Sequence, residues 1–450
     1  MAFDRRETLF LLMGDFFILI ASLWVALLLR NLAIPSFGYF QVNFVPFLPM
    51  FILSLAVFYI AGLYEKQTRP IRRVMGARIL GAQTATVMIA AILFFILPLS
   101  IAPKTILVLY LIVSVAAESV WRFHRMNREM EVESRTPAFL VGSGHSVLEL
   151  YDEVHENPRY LINFVDYVET SGISSISGGK GRVSEAISTA IKNGVRIIVL
   201  DMNDPVIVRD LPELYNRMVD GITFLEFASL YEEIFDRVPL EHLNVGQLLE
   251  TLPKHRALYD ATKHFFDIML AAAGSIVAIP FIGVAALLLF LSDGTPFIRH
   301  KRIGKGGRTF HIIKLRSMLF DDHGDPELQK KNRVTALGRI LRKTRIDELP
   351  QLWNVLAGDL SFIGPRPELP KIAEVYEREI PQYRMRHLIA PGLSGWAQIN
   401  DYDAPRGSAD VARTRRKLSF DLYYLKHRSF GLDLAIAFKT LRTLLSFSGT

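Results

Sequence analysis

The chain has 450 residues, half of them hydrophobic, no cysteine and a formal net charge of +7, a length that holds two or three domains and an apolar share above what a soluble core needs. Positive charge on that background points to a membrane surface or an anionic substrate rather than nucleic acid, and no helix-turn-helix or RNA-binding module is legible. The missing cysteine excludes disulfides, thiolate catalysis and cysteine-ligated zinc.

The first third carries apolar runs at about 9–29, 44–63, 79–97 and 105–120, each near the length a helix needs to cross hydrocarbon. Arg5 and Arg6 precede the first run. Lys66, Arg69, Arg72, Arg73 and Arg78 fill the second loop, and Arg122, Arg125 and Arg128 follow the fourth run. The 31–43 loop is uncharged and the third loop holds only Lys104, so the positive-inside rule puts both ends of this bundle in the cytoplasm. The first run is too long for a signal peptide's apolar core and lacks a small-residue cleavage site, so it is expected to remain as a membrane helix. Asp15 and Glu118 fall within or at the ends of these runs, as functional acids or as polar pairs between helices.

From about Thr136 the pattern alternates between strand and helix. Residues 138–141 predict a buried strand ahead of Gly142-Ser143-Gly144, residues 147–154 an amphipathic helix, and 160–168 and 195–200 further strands. That order argues for a Rossmann-like α/β domain over 136–250. Gly142 and Gly144 with Asp166 resemble part of a dinucleotide fingerprint, but Val147 stands where the third glycine belongs. Nucleotide binding and a structural or regulatory role both remain open. The Ser- and Gly-rich 172–181 stretch predicts a loop without chemistry.

Residues 268–291 form a further apolar run with Pro280 inside it. Lys254, His255, Arg256 and Lys263 precede it; Arg299, Lys301, Arg302, Lys305 and Arg308 follow. Cations on both sides place both flanks in the cytoplasm. A proline removes a backbone donor and kinks a helix, so a re-entrant helix over 265–292, breaking at Pro280, satisfies both facts. An ordinary kinked span is the alternative.

Residues 310–318 alternate like a strand, which sets Lys314 and Arg316 on one face about 7 Å apart, a spacing suited to a diphosphate. Arg339, Arg342, Lys343 and Arg345 lead into Asp347-Glu348-Leu349-Pro350. Proline suits a first helical turn, so a helix is expected from about Asp347 toward Val355, with its dipole keeping the acid ionised as a nucleophile or Mg²⁺ ligand. Neighbouring helical residues point about 100° apart, so Asp347 and Glu348 are expected to do different jobs. The Gly364-Pro365-Arg366-Pro367 turn offers an arginine fork for phosphate. The glycine-punctuated 391–398 loop, with Trp396 and Gln398, is expected to lie against a base or sugar.

The motifs Lys314-Leu315-Arg316-Ser317-Met318, Arg342, Asp347-Glu348-Leu349-Pro350-Gln351, Asn354-Val355-Leu356-Ala357-Gly358-Asp359, Gly364-Pro365-Arg366-Pro367, Pro391-Gly392-x-Ser394-Gly395-Trp396 and Phe420-Asp421-x-Tyr423-Tyr424 together resemble the bacterial sugar transferases. These are monotopic phosphoglycosyl transferases that begin exopolysaccharide or O-antigen synthesis. The resemblance covers about Lys263 to the C-terminus, and the preceding helices and α/β domain resemble the long members. In the family the re-entrant helix usually breaks at Ser-Pro, whereas here Ile279 precedes Pro280. The resemblance implies a membrane protein of α plus α/β class: four transmembrane helices in 1–130, the α/β domain, and a mixed α/β catalytic domain over 257–450. It further implies transfer of hexose-1-phosphate from a UDP-hexose to undecaprenyl phosphate at the bacterial inner membrane, with the catalytic domain and both termini cytoplasmic. Asp347 would be the nucleophile, Glu348 its metal or proton partner, and Mg²⁺ would bind through Asp347 and Glu348. Arg342, Lys314, Arg316 and Arg366 would balance phosphoryl charge. Helix bundles with soluble appendages often dimerise, which makes a homodimer a candidate assembly.

The rival is a membrane-anchored NAD-dependent nucleotide-sugar dehydratase or epimerase, whose Tyr-x-x-x-Lys pair has a spacing match in Tyr259 and Lys263. A non-catalytic scaffold for polysaccharide assembly, with the α/β domain as a sensor, is a third reading. The cation-carboxylate block weighs against it for the C-terminal part.

Overall fold

The computed structural model describes residues 3–61, 63–64, 79–88, 104–131, 135–157, 160, 162–170, 182–210, 221–243, 256–319, 332–401 and 410–445. The cationic loop from Lys66 to Arg78, residues 89–97 of the third apolar run, the 172–181 stretch, and Lys254 and His255 lie outside the described residues. The chain divides into two compact units, Met1–Pro137 with Val154–Asn163, and Ala138–Glu153 with Phe164–Thr450.

The first unit holds α1 (Phe3–Asn31), α2 (Phe37–Ile60), α3 (Ile79–Met88) and α4 (Lys104–Glu131). Helix α2 starts earlier than residue 44 because Ser36 caps it, its hydroxyl accepting from the Tyr39 amide at 3.4 Å. The uncharged loop therefore shrinks to 32–36. Leu19, Leu23 and Leu27 of α1 pack with Phe47 and Phe51 of α2 and Tyr110 of α4, all fully buried. The outward faces, with Phe17, Ile52, Ile112 and Val120, are apolar and exposed, which suits lipid rather than water. Asp15 is buried and takes the functional-or-pairing question to its plainer answer. It accepts the Tyr64 hydroxyl at 2.8 Å and pairs with Arg122, which also donates to the Leu63 carbonyl at 3.1 Å. The pair clasps α1 to α4.

Lying mostly in the second unit, β1 (Thr136–Gly142), α5 (His145–Glu156) and β2 (Ile162–Glu169) form a small α/β module with α6 (Arg182–Lys192), β3 (Ile197–Leu200), β4 (Thr223–Glu226) and α7 (Phe227–Phe235). The strand order is β2-β1-β3-β4, with β1 parallel to β3 and β3 parallel to β4. Phe139, Val141 and Ile198 of the sheet are sealed by Val183 and Ile187 of α6.

The remainder begins with α8 (Ala257–Asp293), a helix of 37 residues that stays helical through Pro280. The expected break is thus no interruption of the helix. Strands β5 (Phe297–Ile303) and β6 (Thr309–Leu315) pair antiparallel. There follow α9 (Ala336–Thr344), α10 (Gln351–Leu356), β7 (Ser361–Ile363), α11 (Pro370–Glu379), β8 (Gly392–Ser394), α12 (Trp396–Asn400), α13 (Val411–His427) and α14 (Phe430–Leu445). Ala278, Ile282, Ala285 and Leu289 on one face of α8 pack with Leu315 and Leu341, and Ala271 packs with Phe310, Ile312 and Val355. The other face leaves Ile276, Val277, Phe281, Val284 and Leu291 exposed. Helix α8, with Leu9–Asn31, α2 and Thr105–Arg122, makes four described helices long and apolar enough to cross a membrane. These mark a membrane protein.

Candidate active site

The carboxylates of the Asp-Glu motif sit in a 3-10 turn, Ile346–Glu348, not in an α-helix starting at Asp347. Arg345 takes a left-handed conformation (φ 56°) that ends α9, and Pro350 begins α10 only after the turn. Leu349 and Pro350, both right-handed helical, carry the turn into α10, so the acids precede that short helix rather than stand in its first turn. What holds the turn is packing: Ile346, Leu349 and Leu352 join the face of α8 around Ala278 and Ile282.

The two acids have different surroundings. Lys314, near the end of β6, donates from Nζ to Glu348 Oε1 at 2.7 Å, and Arg345 approaches Glu348 Oε2 at 3.7 Å. Burial pushes the Glu348 carboxyl up, but Lys314, Arg366 and Arg345 outweigh it and hold the pKa at about 2. Asp347 is only 8% exposed, and among the described residues it has no ion pair. Burial first, then the neighbouring Glu348 charge, raise its pKa to about 6 against the pull of Lys314 and Arg342. Asp347 is therefore ionised at neutral pH yet more basic than an ordinary carboxylate, while Glu348 stays an anion committed to cations. The asymmetry inferred from sequence exists, but it comes from ion pairing, not from side-chain direction along a helix.

Arg342, in the last turn of α9, donates from Nε to Ser317 Oγ at 2.9 Å, which aims it along the strand end toward Asp347. Helix α9 lies that close because Gly338 is on the Ser317 carbonyl, where any Cβ would collide. Asn354 braces the β6 edge, donating to the His311 carbonyl at 2.7 Å and accepting from the Ile313 amide at 3.1 Å. Arg366 is exposed in the turn after β7 and lies within electrostatic reach of Glu348. Lys314, Arg342, Asp347, Glu348 and Arg366 thus form one cluster.

The other candidates lie elsewhere. Arg316 is buried one residue beyond β6, its amide bonded to the Pro296 carbonyl at 2.8 Å. Trp396 is a core residue: it is buried, stacks on Tyr423 and donates Nε1–H to the Asp236 carbonyl at 2.8 Å. Gln398 is half-buried on the same short helix. Gly392 and Gly395 of that loop press against Gly364, not against an open surface, because β7 and β8 pair there in parallel register. Contact with a base or sugar by Trp396 is a correction: the loop's glycines admit backbone, and its aromatic fills the core. Pro280 lies inside α8.

An ion network beneath Arg366 escaped the sequence reading, although Asp421 lies in a quoted motif and Glu368 directly follows another. Glu368 pairs with Lys417, and Arg386 bonds Asp421 at 2.8 Å while donating to the Arg366 carbonyl at 2.9 Å. Burial raises Glu368, yet Lys417 and Arg386 bring its pKa to about 2. The only sequence signal was Asp421 inside an otherwise apolar motif and Glu368 just after the proline-rich turn.

The rival constellation is dismantled by its contacts. Tyr259 donates to Asp433 at 2.7 Å, and Lys263 pairs with the same carboxylate at 3.2 Å. In the α/β module, Gly144 (φ 99°) faces the side chains of Glu241 and His242. His242 bonds Asp201 at 2.6 Å, and Asp166 lies exposed in mid-strand, holding the Tyr167 amide at 2.8 Å. Glu241 and His242 are thus the side chains nearest the turn at which a dinucleotide pyrophosphate would sit.

For a divalent cation the donor set is two adjacent carboxylates, and no larger cluster of His, Asp or Glu occurs among the described residues. Magnesium is commonly held by one or two carboxylates plus substrate phosphates, so Asp347 and Glu348 fit a magnesium–diphosphate complex.

Residues 258–447 match the model of the family described as bacterial sugar transferase. The chain is 40% identical over 237 residues to a UDP-N-acetylgalactosamine-undecaprenyl-phosphate N-acetylgalactosaminephosphotransferase of Aeromonas hydrophila, covering 51% of this chain and 53% of that protein. It is 39% identical over 317 residues to a UDP-glucose:undecaprenyl-phosphate glucose-1-phosphate transferase of Xanthomonas campestris pv. campestris, covering 66% of this chain and 64% of that one. The matches thus span between half and two thirds of those relatives. A UDP-glucose:undecaprenyl-phosphate glucose-1-phosphate transferase of Caulobacter vibrioides is 38% identical over 198 residues, covering 43% of this chain and 73% of its own length. On that coverage and on the family match, the chain belongs to the bacterial sugar transferase family.

Proposed function

We propose that this protein transfers hexose-1-phosphate from a UDP-hexose to undecaprenyl phosphate, releasing UMP, as the first membrane step of an exopolysaccharide, O-antigen or capsule pathway. The observation that carries the reading is Asp347: a buried, unpaired carboxylate beside an anionic Glu348 and ringed by Lys314, Arg342 and Arg366. The relatives' names supply the substrates.

In the first half-reaction an Asp347 carboxylate oxygen attacks the β-phosphorus of the UDP-sugar. The Asp347 O–P bond forms as the bridging P–O bond breaks, and that oxygen leaves with its electron pair as part of UMP. In the second, an oxygen of the lipid phosphate attacks the same phosphorus, and the Asp347 carboxylate is released. A pKa raised to about 6 makes Asp347 a better nucleophile while leaving it ionised at pH 7. Lys314 and Arg342 balance the charge on the transferring phosphoryl oxygens, and Arg366 faces the diphosphate. Glu348, held as an anion by Lys314, keeps Asp347 basic. Magnesium bound through Asp347 and Glu348 would neutralise diphosphate charge. Arg316 is the weakest member of the proposed set, and Gln398 would act only from the edge of the cluster.

In this reading the domains run 1–130 (transmembrane), 136–250 (Rossmann-like) and 257–450 (catalytic), in the inner membrane with both termini cytoplasmic. Helix α8 enters and leaves on the same side, over 265–292. The support is that residues on both sides of Pro280 pack against one set of catalytic elements: Gly274 against Leu352, and Ala278 to Leu289 around Leu315 and Leu341. The Rossmann-like domain is structural or regulatory, and a homodimer is the candidate assembly. The test is UMP release from a panel of UDP-sugars by the full chain in membranes with undecaprenyl phosphate. Release that requires both the lipid and Asp347 supports the reading; release retained by Asp347→Asn refutes the nucleophile.

A further inference from the structure

Arg302 had no assigned chemistry beyond its place in a cationic flank. It lies near the end of β5 opposite Phe310, and the next residue ties that strand to the Gly-Pro-Arg-Pro turn, Ile303 N donating to the Glu368 carbonyl at 3.1 Å. The Arg302 side chain is half-buried, and its Nε is sealed from solvent with no hydrogen-bond partner among the described residues. Such an orphaned donor on a charged group is costly.

Its electrostatic surroundings make the position stranger. Burial and the neighbouring Arg366 charge both disfavour the Arg302 cation, and only Glu368 favours it. Glu368 is already claimed, since Lys417 pairs with it and Arg386 stands 3.9 Å away. Asp421 is taken by Arg386 at 2.8 Å. Arg302 thus shares Glu368 with Lys417 and Arg386, and Asp421 is held by Arg386, which leaves Arg302 without an acid of its own beside the Arg366 charge. Glu348, the remaining acid within reach of Arg366, is held by Lys314 at 2.7 Å. Arg386 donates to the Arg366 carbonyl at 2.9 Å, so the backbone of the like-charged partner is fixed in place. Two arginines within electrostatic reach of each other, one with a dry unused donor and one exposed, match a dianion with several acceptor oxygens.

We infer that Arg302 and Arg366 together form a seat for a phosphomonoester dianion beside the Asp347–Glu348 turn. This rests on the proposed transfer reaction for its choice of ligand. In that reaction two phosphomonoesters visit the site: the nucleoside monophosphate that leaves and the lipid phosphate that enters. The seat takes the charge that appears on the leaving oxygen when the bridging bond breaks, or presents the incoming phosphate to the phosphosugar. Arg302 is then a binding residue for the reacting groups, and the buried Glu368–Lys417 and Arg386–Asp421 pairs are the positioning frame behind it.

The experiment uses the full chain in nanodiscs, as wild type, Arg302→Gln, Arg302→Lys and Arg366→Gln. UMP inhibition is measured at fixed UDP-sugar, undecaprenyl phosphate KM is measured separately, and protection from thermal unfolding by UMP and by inorganic phosphate is read without turnover. Losing one charge-assisted pair weakens the dianion by on the order of 10- to 100-fold. Arg302→Gln and Arg366→Gln are each expected to lose UMP affinity, lipid affinity or both by that factor. Arg302→Lys, which keeps the charge without the fork, should fall between. A shift in UMP inhibition alone assigns the seat to the leaving group, and a shift in lipid KM alone assigns it to the acceptor. If both constants stay within twofold of wild type in the glutamine variants, the inference is overturned even though UMP release continues. If wild type releases no UMP, the transfer reading fails, and phosphate protection still decides the seat. Should Arg302→Gln not fold, the exposed Arg366→Gln carries the decision.

Discussion

Replacing Asp347 with Asn should make the protein more stable at pH 8 while abolishing its chemistry. The carboxyl is buried next to a Glu348 that stays charged, and its pKa is raised from 3.8 to about 6. The sign follows from linkage. On raising the pH, the unfolded chain loses this proton first, so between about pH 4 and 6 the folded state binds more protons and stability falls. Above about pH 6 the loss is complete, and two units at about 1.4 kcal/mol each give a cost near 3 kcal/mol as an upper bound. Asn has nearly the same shape and never ionises, so the variant escapes that cost. Unfolding midpoints of wild type and Asp347→Asn, measured in the same detergent from pH 3.5 to 8, should nearly coincide at the acid end. They should separate by several degrees above pH 6, with the variant higher. Wild-type UMP release should fall off below about pH 6 on the same titration. A variant less stable than wild type at pH 8, or a gain independent of pH, would refute the claim that Asp347 is a strained, ionised nucleophile.

Lys314→Met removes the 2.7 Å pair that commits Glu348; Glu348 should then titrate above about 2, and UMP release should drop at least 10-fold, on the usual worth of a charged hydrogen bond. Gly338→Ala drives a methyl into the Ser317 carbonyl and should cost about 1–3 kcal/mol, displacing α9 and Arg342, so UMP release falls without a large change in UDP-sugar KM. Trp396→Phe deletes the bond to the Asp236 carbonyl and should lower stability by about 1–3 kcal/mol with the UDP-sugar KM unchanged; a raised KM at normal stability would restore a substrate contact for Trp396.

Much of the site was legible because its residues are close in sequence. Lys314 lies three residues before Ser317 at the end of β6, and Arg342 precedes Asp347 across one turn, so local spacing carried the cluster. What local spacing misjudged was conformation: Arg345 adopts a left-handed turn, and the acids sit in a 3-10 turn ahead of the helix that was expected to begin at Asp347. Trp396 was misjudged because glycines around an aromatic mark close approach without saying of what; here it is Gly364 against Gly392. The network of Arg302, Glu368, Lys417, Arg386 and Asp421 joins partners up to 66 positions apart, and periodicity carries no such information. In the fold, the apolar helices and three of four module strands follow from pattern, with β2 and β3 displaced by a residue or two. The four-residue β4, half-exposed in its sheet, has too little alternation to announce itself. Helix α2 began early because Ser36 is an N-cap that the uncharged loop concealed.

The central claim is a covalent phosphosugar on Asp347. Full-length protein in nanodiscs without acceptor lipid, mixed with a cognate UDP-sugar and quenched within seconds, should release UMP up to the enzyme concentration. Mass spectrometry of the quenched protein should show the peptide containing Asp347 heavier by one hexose phosphate, and the adduct should vanish when undecaprenyl phosphate is added. UMP appearing only when the lipid is present, with the Asp347 peptide unmodified, would contradict the two-step account and favour direct attack by the lipid phosphate.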